Sequence, residues 1–231
     1  MANGDLSVVD GRLDAMTRSV FVALEGGDGA GKSLQVDLLA EKLRAAGLAG
    51  VAGAPELVVT REPGGTELGR AVRQVLLHGQ EMVPVAEALL YAADRAQHVA
   101  QVIAPALARG AVVITDRYVD SSLAYQADGR GLGVTGVQGI NDYATGGLQP
   151  DLTVVLDLPV EVAARRRAVA GKAPDRLESA GQRFHQAVAA GYLALAARCP
   201  ERYAVVRADG LPEVVAERVF AAVAPLLEAP V

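Results

Sequence analysis

One octapeptide restricts the fold of this chain more than any other stretch. Residues 26–33, Gly-Gly-Asp-Gly-Ala-Gly-Lys-Ser, fit the pattern G-x-x-x-x-G-K-[ST]. A short apolar run at 20–24 precedes it and reads as a buried parallel strand. Leu34, Leu38, Leu39 and Leu43 follow at helical spacing, and Gly47 closes that helix. Strand, glycine loop and helix in this order are the context a phosphate-binding loop needs. Gly26, Gly27, Gly29, Ala30 and Gly31 let backbone N–H groups close around phosphate oxygens, and the helix N-terminus adds positive potential. Lys32 can reach the β and γ phosphates, and the Ser33 hydroxyl can ligate Mg²⁺. Asp28 is unusual in such a loop, because a carboxylate beside a triphosphate is repelled. It is expected to face away, toward a cation or a hydroxyl donor.

The remaining chain alternates short buried runs with helical patterns. Runs at 57–60, 112–115, 152–156 and 203–207 read as further strands. Helical spacing covers 67–78, 85–108, 160–170, 177–197 and 211–228, while 128–136, with four glycines, reads as a loop. With no repeat and no linker, this is one α/β domain over residues 19–231, built on a parallel sheet. Residues 165–178 are polar and arginine-containing and are expected to form a mobile lid. Residues 1–18 lack a cationic start and an apolar core, so they read as a tail rather than a signal peptide.

Composition excludes several classes. Lys and Arg total 22 against 27 Asp and Glu, a net charge of −5, which argues against nucleic acid or an anionic membrane as the main partner. No apolar run approaches the ~20 residues that span a bilayer. Cys199 is the single cysteine, so no internal disulfide or cysteine-based zinc cluster is expected, in keeping with a reducing, cytoplasmic setting. His78, His98 and His185 show no ligand spacing.

Further candidates lie at strand ends. Asp116 and Arg117 end the third run, where ligands of open parallel sheets collect. The carboxylate can hold Mg²⁺ and the guanidinium can fork onto a phosphate, or the two form a structural pair. Glu87, Tyr91, Arg95 and His98 share one helical face, with Leu89, Ala93, Ala96, Ala100 and Ile103 available as the apolar face. Taken alone, that pattern describes an amphipathic helix with a wet polar side. Arg165, Arg166, Arg167, Lys172 and Arg176 cluster in the expected lid, where positive charge would serve phosphoryl transfer or simply be solvated.

Four segments together resemble the bacterial type of thymidylate kinase, a P-loop nucleoside-monophosphate kinase family. They are residues 25–33, the Thr-Arg-Glu-Pro-Gly-Gly-Thr loop at 60–66, Asp116-Arg117-Tyr118, and Asp175-Arg176-Leu177-Glu178. The resemblance spans roughly residues 19–228. It implies a five-stranded parallel sheet flanked by helices with a short basic lid, and the transfer of phosphate from ATP to dTMP with Mg²⁺ at Ser33 and Asp116. It implies that Asp28 touches the sugar 3′-hydroxyl and that Arg61 organises the acceptor phosphate. Tyr91 takes the place of the aromatic, usually Phe, that stacks on thymine. Arg95 would bond the thymine O4, Arg117 the dTMP phosphate, while Ser122 faces the base and Tyr125 lies under the sugar. It also implies a homodimer. Gly29 stands where other lineages carry an arginine, so catalytic charge is expected from the lid, from Arg166, Arg167, Lys172 or Arg176. Competing readings are a kinase for another small acceptor, and a P-loop switch ATPase, which would give no reason for Asp28 or for the Tyr91/Arg95 stripe.

Overall fold

The computed structural model describes residues 19–169, 171 and 175–228; the expected tail at 1–18 and Lys172 lie outside the described residues. Five strands form one parallel sheet: β1 (Val20–Glu25), β2 (Leu57–Arg61), β3 (Val112–Asp116), β4 (Leu152–Asp157) and β5 (Tyr203–Arg207), in the order β2-β3-β1-β4-β5. The described helices are α1 (Lys32–Ala45), α2 (Glu67–His78), α3 (Pro84–His98), α4 (Ala104–Ala108), α5 (Val119–Ser122), α6 (Val134–Thr145), α7 (Val160–Val169), α8 (Gln182–Arg198) and α9 (Pro212–Glu228).

The central strand explains the layering. Every residue of β1 is buried, because both faces of a parallel sheet carry helices. Val20, Val22 and Leu24 point toward α1 and α9 and join Ile114, Val154 and Val219 in one core. Phe21 and Ala23 point the other way, to Ile103, Val113, Tyr118 and Val137. Each Val or Leu so buried contributes about 1.5–3 kcal/mol over leaving it exposed. Register places Leu24 opposite Asp116 and Arg61 opposite Asp116 on the other side, so the ends of β1, β2 and β3 meet at one edge. Ligands of open parallel sheets bind at that edge.

Three expectations change. The helix expected over 85–108 runs as α3, a π-helical turn (Val99–Ile103) and α4. Pro105 lacks the N–H that Gln101 would otherwise receive, which accounts for the widened turn. The loop expected at 128–136 shrinks to 130–133, between a π-helical segment (Leu123–Gly129) and α6. Gly129 serves close packing: a Cβ there would lie 2.7 Å from the Phe184 ring. The helix expected from 177 begins only at Gln182. Before it, the Asp175 carboxylate accepts the N–H groups of Leu177 and Glu178, both at 2.8 Å, folding that stretch into turns.

Candidate active site

At the sheet edge lies a cavity of about 340 Å³, lined by Asp28, Lys32, Ser33, Tyr91, Arg117 and Tyr125 among others. Gly31 takes a left-handed conformation (φ 94°) before α1, which has no side-chain cap and no acidic residue in its first turn. Its first N–H groups are thus left for an anion. Lys32 donates to the carbonyls of Gly26 (3.0 Å) and Gly27 (2.9 Å). Burial, and then the nearby Arg117 charge, lower the Lys32 ammonium to about 8. Ser33 Oγ donates to Asp116 Oδ2 at 2.5 Å, while Asp116 Oδ1 is buried without a partner among the described residues. A hydroxyl beside a half-satisfied carboxylate is a donor set that fits a hard divalent cation.

Asp28 turns away from the loop interior, as repulsion from phosphate demands. It pairs with Arg117 Nη2 and accepts the Tyr125 hydroxyl at 2.8 Å. Burial alone would raise the Asp28 carboxyl; Arg117, Lys32 and Tyr125 more than offset this and hold it below its ordinary value. The Arg117 guanidinium also lies 4.9 Å from the Tyr125 ring centre, and its Nη2 donates to the Tyr125 hydroxyl at 3.1 Å. Arg117 is the only non-glycine residue with positive φ (74°) among the described residues.

The far end of the cavity is built on α3, and here the amphipathic expectation is reversed. Glu87, Arg95 and His98 are buried, whereas Leu89, Ala93 and Ala100 of the expected apolar face are exposed, Ala96 is half-buried, and Ile103, beyond α3, is the one member buried in the core. Each buried polar group has partners, which is what makes its burial tolerable. Arg95 is 1% exposed; it bonds Glu62 Oε2 (2.7 Å), Ser122 Oγ (3.0 Å), the Tyr118 carbonyl (2.9 Å) and Asn141 Oδ1. The other Glu62 oxygen meets His98 Nδ1 at 2.8 Å, and His98 Nε2 meets Thr60 Oγ1 at 2.6 Å. Tyr91 is half-buried and lines the cavity between Arg95 and Glu87 on the same face.

The family model for thymidylate kinase matches residues 24–219 of this chain. The chain belongs to the thymidylate kinase family. It is 51% identical to the thymidylate kinase of Synechococcus sp. (strain JA-2-3B'a(2-13)) over 208 residues, covering 90% of this chain and 96% of that protein. It is 49% identical to that of Thermomicrobium roseum over 210 residues, covering 91% and 97%. For the Pseudomonas fluorescens (strain SBW25) thymidylate kinase the identity is 52% over 186 residues, covering 80% and 85%.

The arginines of the expected lid divide. Arg165 is exposed. Arg166 donates to the Ala208 carbonyl at 3.0 Å, which turns it toward the segment before α9 and away from the phosphate-binding loop. Arg167 donates to the Asp28 carbonyl and so lies on that loop. Gly29 makes this possible: a Cβ at Gly29 (φ 88°) would stand 2.7 Å from the Ala163 carbonyl and 3.2 Å from Arg167 Cγ. Arg176 bonds Glu87 at 2.5 Å and the Leu76 carbonyl at 3.1 Å, leaving Nη2 without a partner among the described residues. Arg61 lines the cavity mouth, is exposed, and makes no side-chain hydrogen bond among the described residues.

Several participants carry no role in the sequence motifs. Glu62 lies inside the loop at 60–66 and Glu25 directly before the glycines, so position is a signal for both. Asn141 and Gln126 have none. Asn141 meets Arg95 from a helix 46 residues away, and Gln126 donates to Glu87 at 2.8 Å from 39 residues away.

Proposed function

We propose that the chain transfers the γ-phosphoryl group of ATP to dTMP, giving ADP and dTDP. What carries this reading is that one cavity joins the phosphate-binding loop to an aromatic ring, Tyr91, and a serine, Ser122, that is backed by the buried Arg95, which suits a nucleotide acceptor. An acceptor phosphate oxygen attacks the γ-phosphorus while the bond to the β–γ bridging oxygen breaks and ADP leaves. Catalysis is then mostly positioning and charge.

Residues 26–33 hold the ATP phosphates, with Lys32 neutralising the migrating group. An incoming phosphate restores the charge preference that burial takes from Lys32. Ser33 and Asp116 would hold Mg²⁺, which when bound supplies positive charge to the phosphate oxygens. Arg117 and Arg61 receive the acceptor phosphate, and Asp28 takes the sugar 3′-hydroxyl. Tyr125 underlies the sugar, Tyr91 stacks on thymine, and Arg95 and Ser122 meet its polar edge. The segment at 165–178 acts as the lid, with Arg167 placed nearest the loop and Arg176 at its other end.

We also propose a homodimer in the cytoplasm. Val85 and Leu89 of α3 and Leu68 and Val75 of α2 are exposed on two helices that pack together, apolar surface that a second copy would cover. No helix among the described residues is long and apolar enough to cross a membrane.

The test is an acceptor screen with ATP and Mg²⁺, following ADP. We expect dTMP to give the highest kcat/KM among dTMP, dUMP, CMP, GMP and AMP. A better acceptor among the others, or ADP release without any acceptor, would overturn the assignment. Light scattering across protein concentration tests the dimer.

A further inference from the structure

Glu25 is the last residue of β1, yet its side chain turns inward and is fully buried. Its carboxylate ties together three parts of the chain. Oε1 accepts the backbone N–H groups of Tyr118 (2.7 Å) and Ser121 (3.2 Å). Oε2 accepts the hydroxyls of Ser121 (2.6 Å) and Tyr192 of α8 (2.9 Å). Those same hydroxyls stand beside Arg117, whose Nη1 donates to Ser121 Oγ at 2.9 Å and to Tyr192 Oη at 3.3 Å.

The polarity of this arrangement follows from counting protons. A guanidinium only donates, and an ionised carboxylate only accepts. Each hydroxyl has a single proton. With Glu25 ionised, both hydroxyl protons point at Oε2 and both sets of lone pairs remain for Arg117. Without that carboxylate, the two hydroxyls, 2.9 Å apart, bond each other and one turns its proton toward the guanidinium. The backbone argument runs parallel. Arg117 sits at a positive φ of 74°, which a non-glycine residue holds only when its surroundings enforce it. Its N–H bonds the Leu24 carbonyl at 3.0 Å, its carbonyl accepts Thr115 Oγ1 at 2.9 Å, and Glu25 fixes the next N–H, that of Tyr118.

We propose that Glu25 is a positioning residue for the acceptor arginine: through the hydroxyls of Ser121 and Tyr192 and the N–H of Tyr118 it sets where the Arg117 guanidinium points. The inference rests on the assignment of Arg117 to the acceptor phosphate. It also has a pH signature. Burial, with Asp120 adding to it, raises the Glu25 carboxyl to about 7, against the opposing pull of Arg117 and the hydrogen bonds. The other charged or titratable groups around it are Lys32 of α1, Arg95 of α3, Tyr192 of α8 and Tyr203 of β5. Below about pH 7 the carboxyl gains a proton, becomes a donor, and loses its hold on the hydroxyls.

The experiment measures KM for dTMP and for ATP from pH 6 to 8.5, with a thermal melt, in Glu25→Gln, Ser121→Ala/Tyr192→Phe, the triple variant and Arg117→Ala. Because the folded state favours the protonated carboxyl, ionised Glu25 opposes folding above pH 7, so Glu25→Gln is expected to melt no lower than wild type at pH 8. We expect Glu25→Gln to raise the dTMP KM about tenfold while the ATP KM stays within about twofold. The double variant should give the same shift, and the triple variant should add less than about twofold to it. The excess rise in wild-type dTMP KM below pH 7, relative to Glu25→Gln, should vanish in the double variant. If Arg117→Ala leaves the dTMP KM unchanged, the assignment of Arg117 falls. If Arg117→Ala raises it but the double variant and Glu25→Gln do not, or if their effects add in full, the positioning role of Glu25 falls. Should Glu25→Gln fail to fold, the double variant and its pH profile decide by themselves.

Discussion

Arginine does two different jobs in two regions of this molecule. At the base end, Arg95 is surrounded by partners from four segments and its charge is matched by a buried carboxylate, Glu62, which also holds His98. In the lid, Arg166 and Arg167 are half-buried and rest on backbone carbonyls of Ala208 and Asp28. A hydrogen bond to a neutral carbonyl is worth about 0.5–1.5 kcal/mol net, up to about 3 when the donor is charged. Breaking a buried ion pair by removing one partner costs about 3–5 kcal/mol. The proposed acceptor pocket is therefore a fixed template, while Arg166 and Arg167 of the proposed lid keep charge that a phosphate can recruit. Arg176 shares both features: it belongs to the proposed lid, yet it is paired with the buried carboxylate of Glu87 on α3.

The largest effect should come from the arginines of α7. Arg167→Ala is expected to lower kcat on the order of 10³-fold at saturating ATP and dTMP, because an arginine on the transferring group supplies stabilisation of that size. Its melting temperature should stay close to wild type. Arg166→Ala, whose guanidinium faces Ala208, should lose far less. Normal turnover in Arg167→Ala would break the contrast and leave the lid as a cover.

The fixed end should fail differently. Glu62→Ala strips the carboxylate from a guanidinium and an imidazole that are both fully enclosed. The expected loss is about 3–5 kcal/mol in a urea unfolding curve. An unchanged unfolding midpoint would mean that Asn141, Ser122 and the Tyr118 carbonyl satisfy Arg95 without Glu62, and the template would then be softer than it looks.

The same contrast explains what the sequence could and could not reveal. The strands and most helices follow from local periodicity: β1, α1 and α2 fall where the apolar spacing puts them. The phosphate-binding loop is contiguous, so Lys32, Ser33 and Asp28 were visible together. The base end is assembled from α3, the loop after β2, the segment after β3 and α6, and no local pattern joins Arg95 to Asn141. Helix α3 misled because periodicity reports which residues share a face but not which face points inward. Its Glu87, Arg95 and His98 are enclosed among polar partners, with Tyr91 on the cavity, while Leu89 and Ala93 are left outside. The glycines at 129–136 misled for a related reason, since Gly129 exists for a neighbour's ring rather than for a turn.

A smaller effect concerns sugar choice. Tyr125 is buried against the cavity with its ring edge-on to Phe184 and Tyr192. In the proposed role, with its ring beneath the deoxyribose, Tyr125 leaves no space for a 2′-hydroxyl and no partner for it; an unpaired hydroxyl costs roughly 1–3 kcal/mol. The enzyme should prefer dTMP over its ribose analogue by about 10- to 200-fold in kcat/KM. Tyr125→Phe should lower both rates, since the hydroxyl holds Asp28, but keep the ratio. Tyr125→Ala should relax it, and an unchanged ratio in that variant would reject the steric gate.

The smallest effect should come from the other tyrosine of the pocket, Tyr91. Its hydroxyl bonds no described residue, in contrast to that of Tyr125, which bonds both Asp28 and Arg117. Burial pushes its phenol far above the ordinary value, so the group stays neutral at any working pH and contributes no charge to the base. What remains is the ring. Stacking a base on an aromatic side chain is worth about 1–3 kcal/mol by alanine substitution. Tyr91→Ala should therefore raise the dTMP KM by about 5- to 150-fold, while Tyr91→Phe should stay within about threefold of wild type. A loss in Tyr91→Phe as large as that in Tyr91→Ala would show that the hydroxyl itself contacts the acceptor. The base end would then read its ligand through a hydrogen bond that forms only on binding, and the template would be incomplete until the nucleotide arrives.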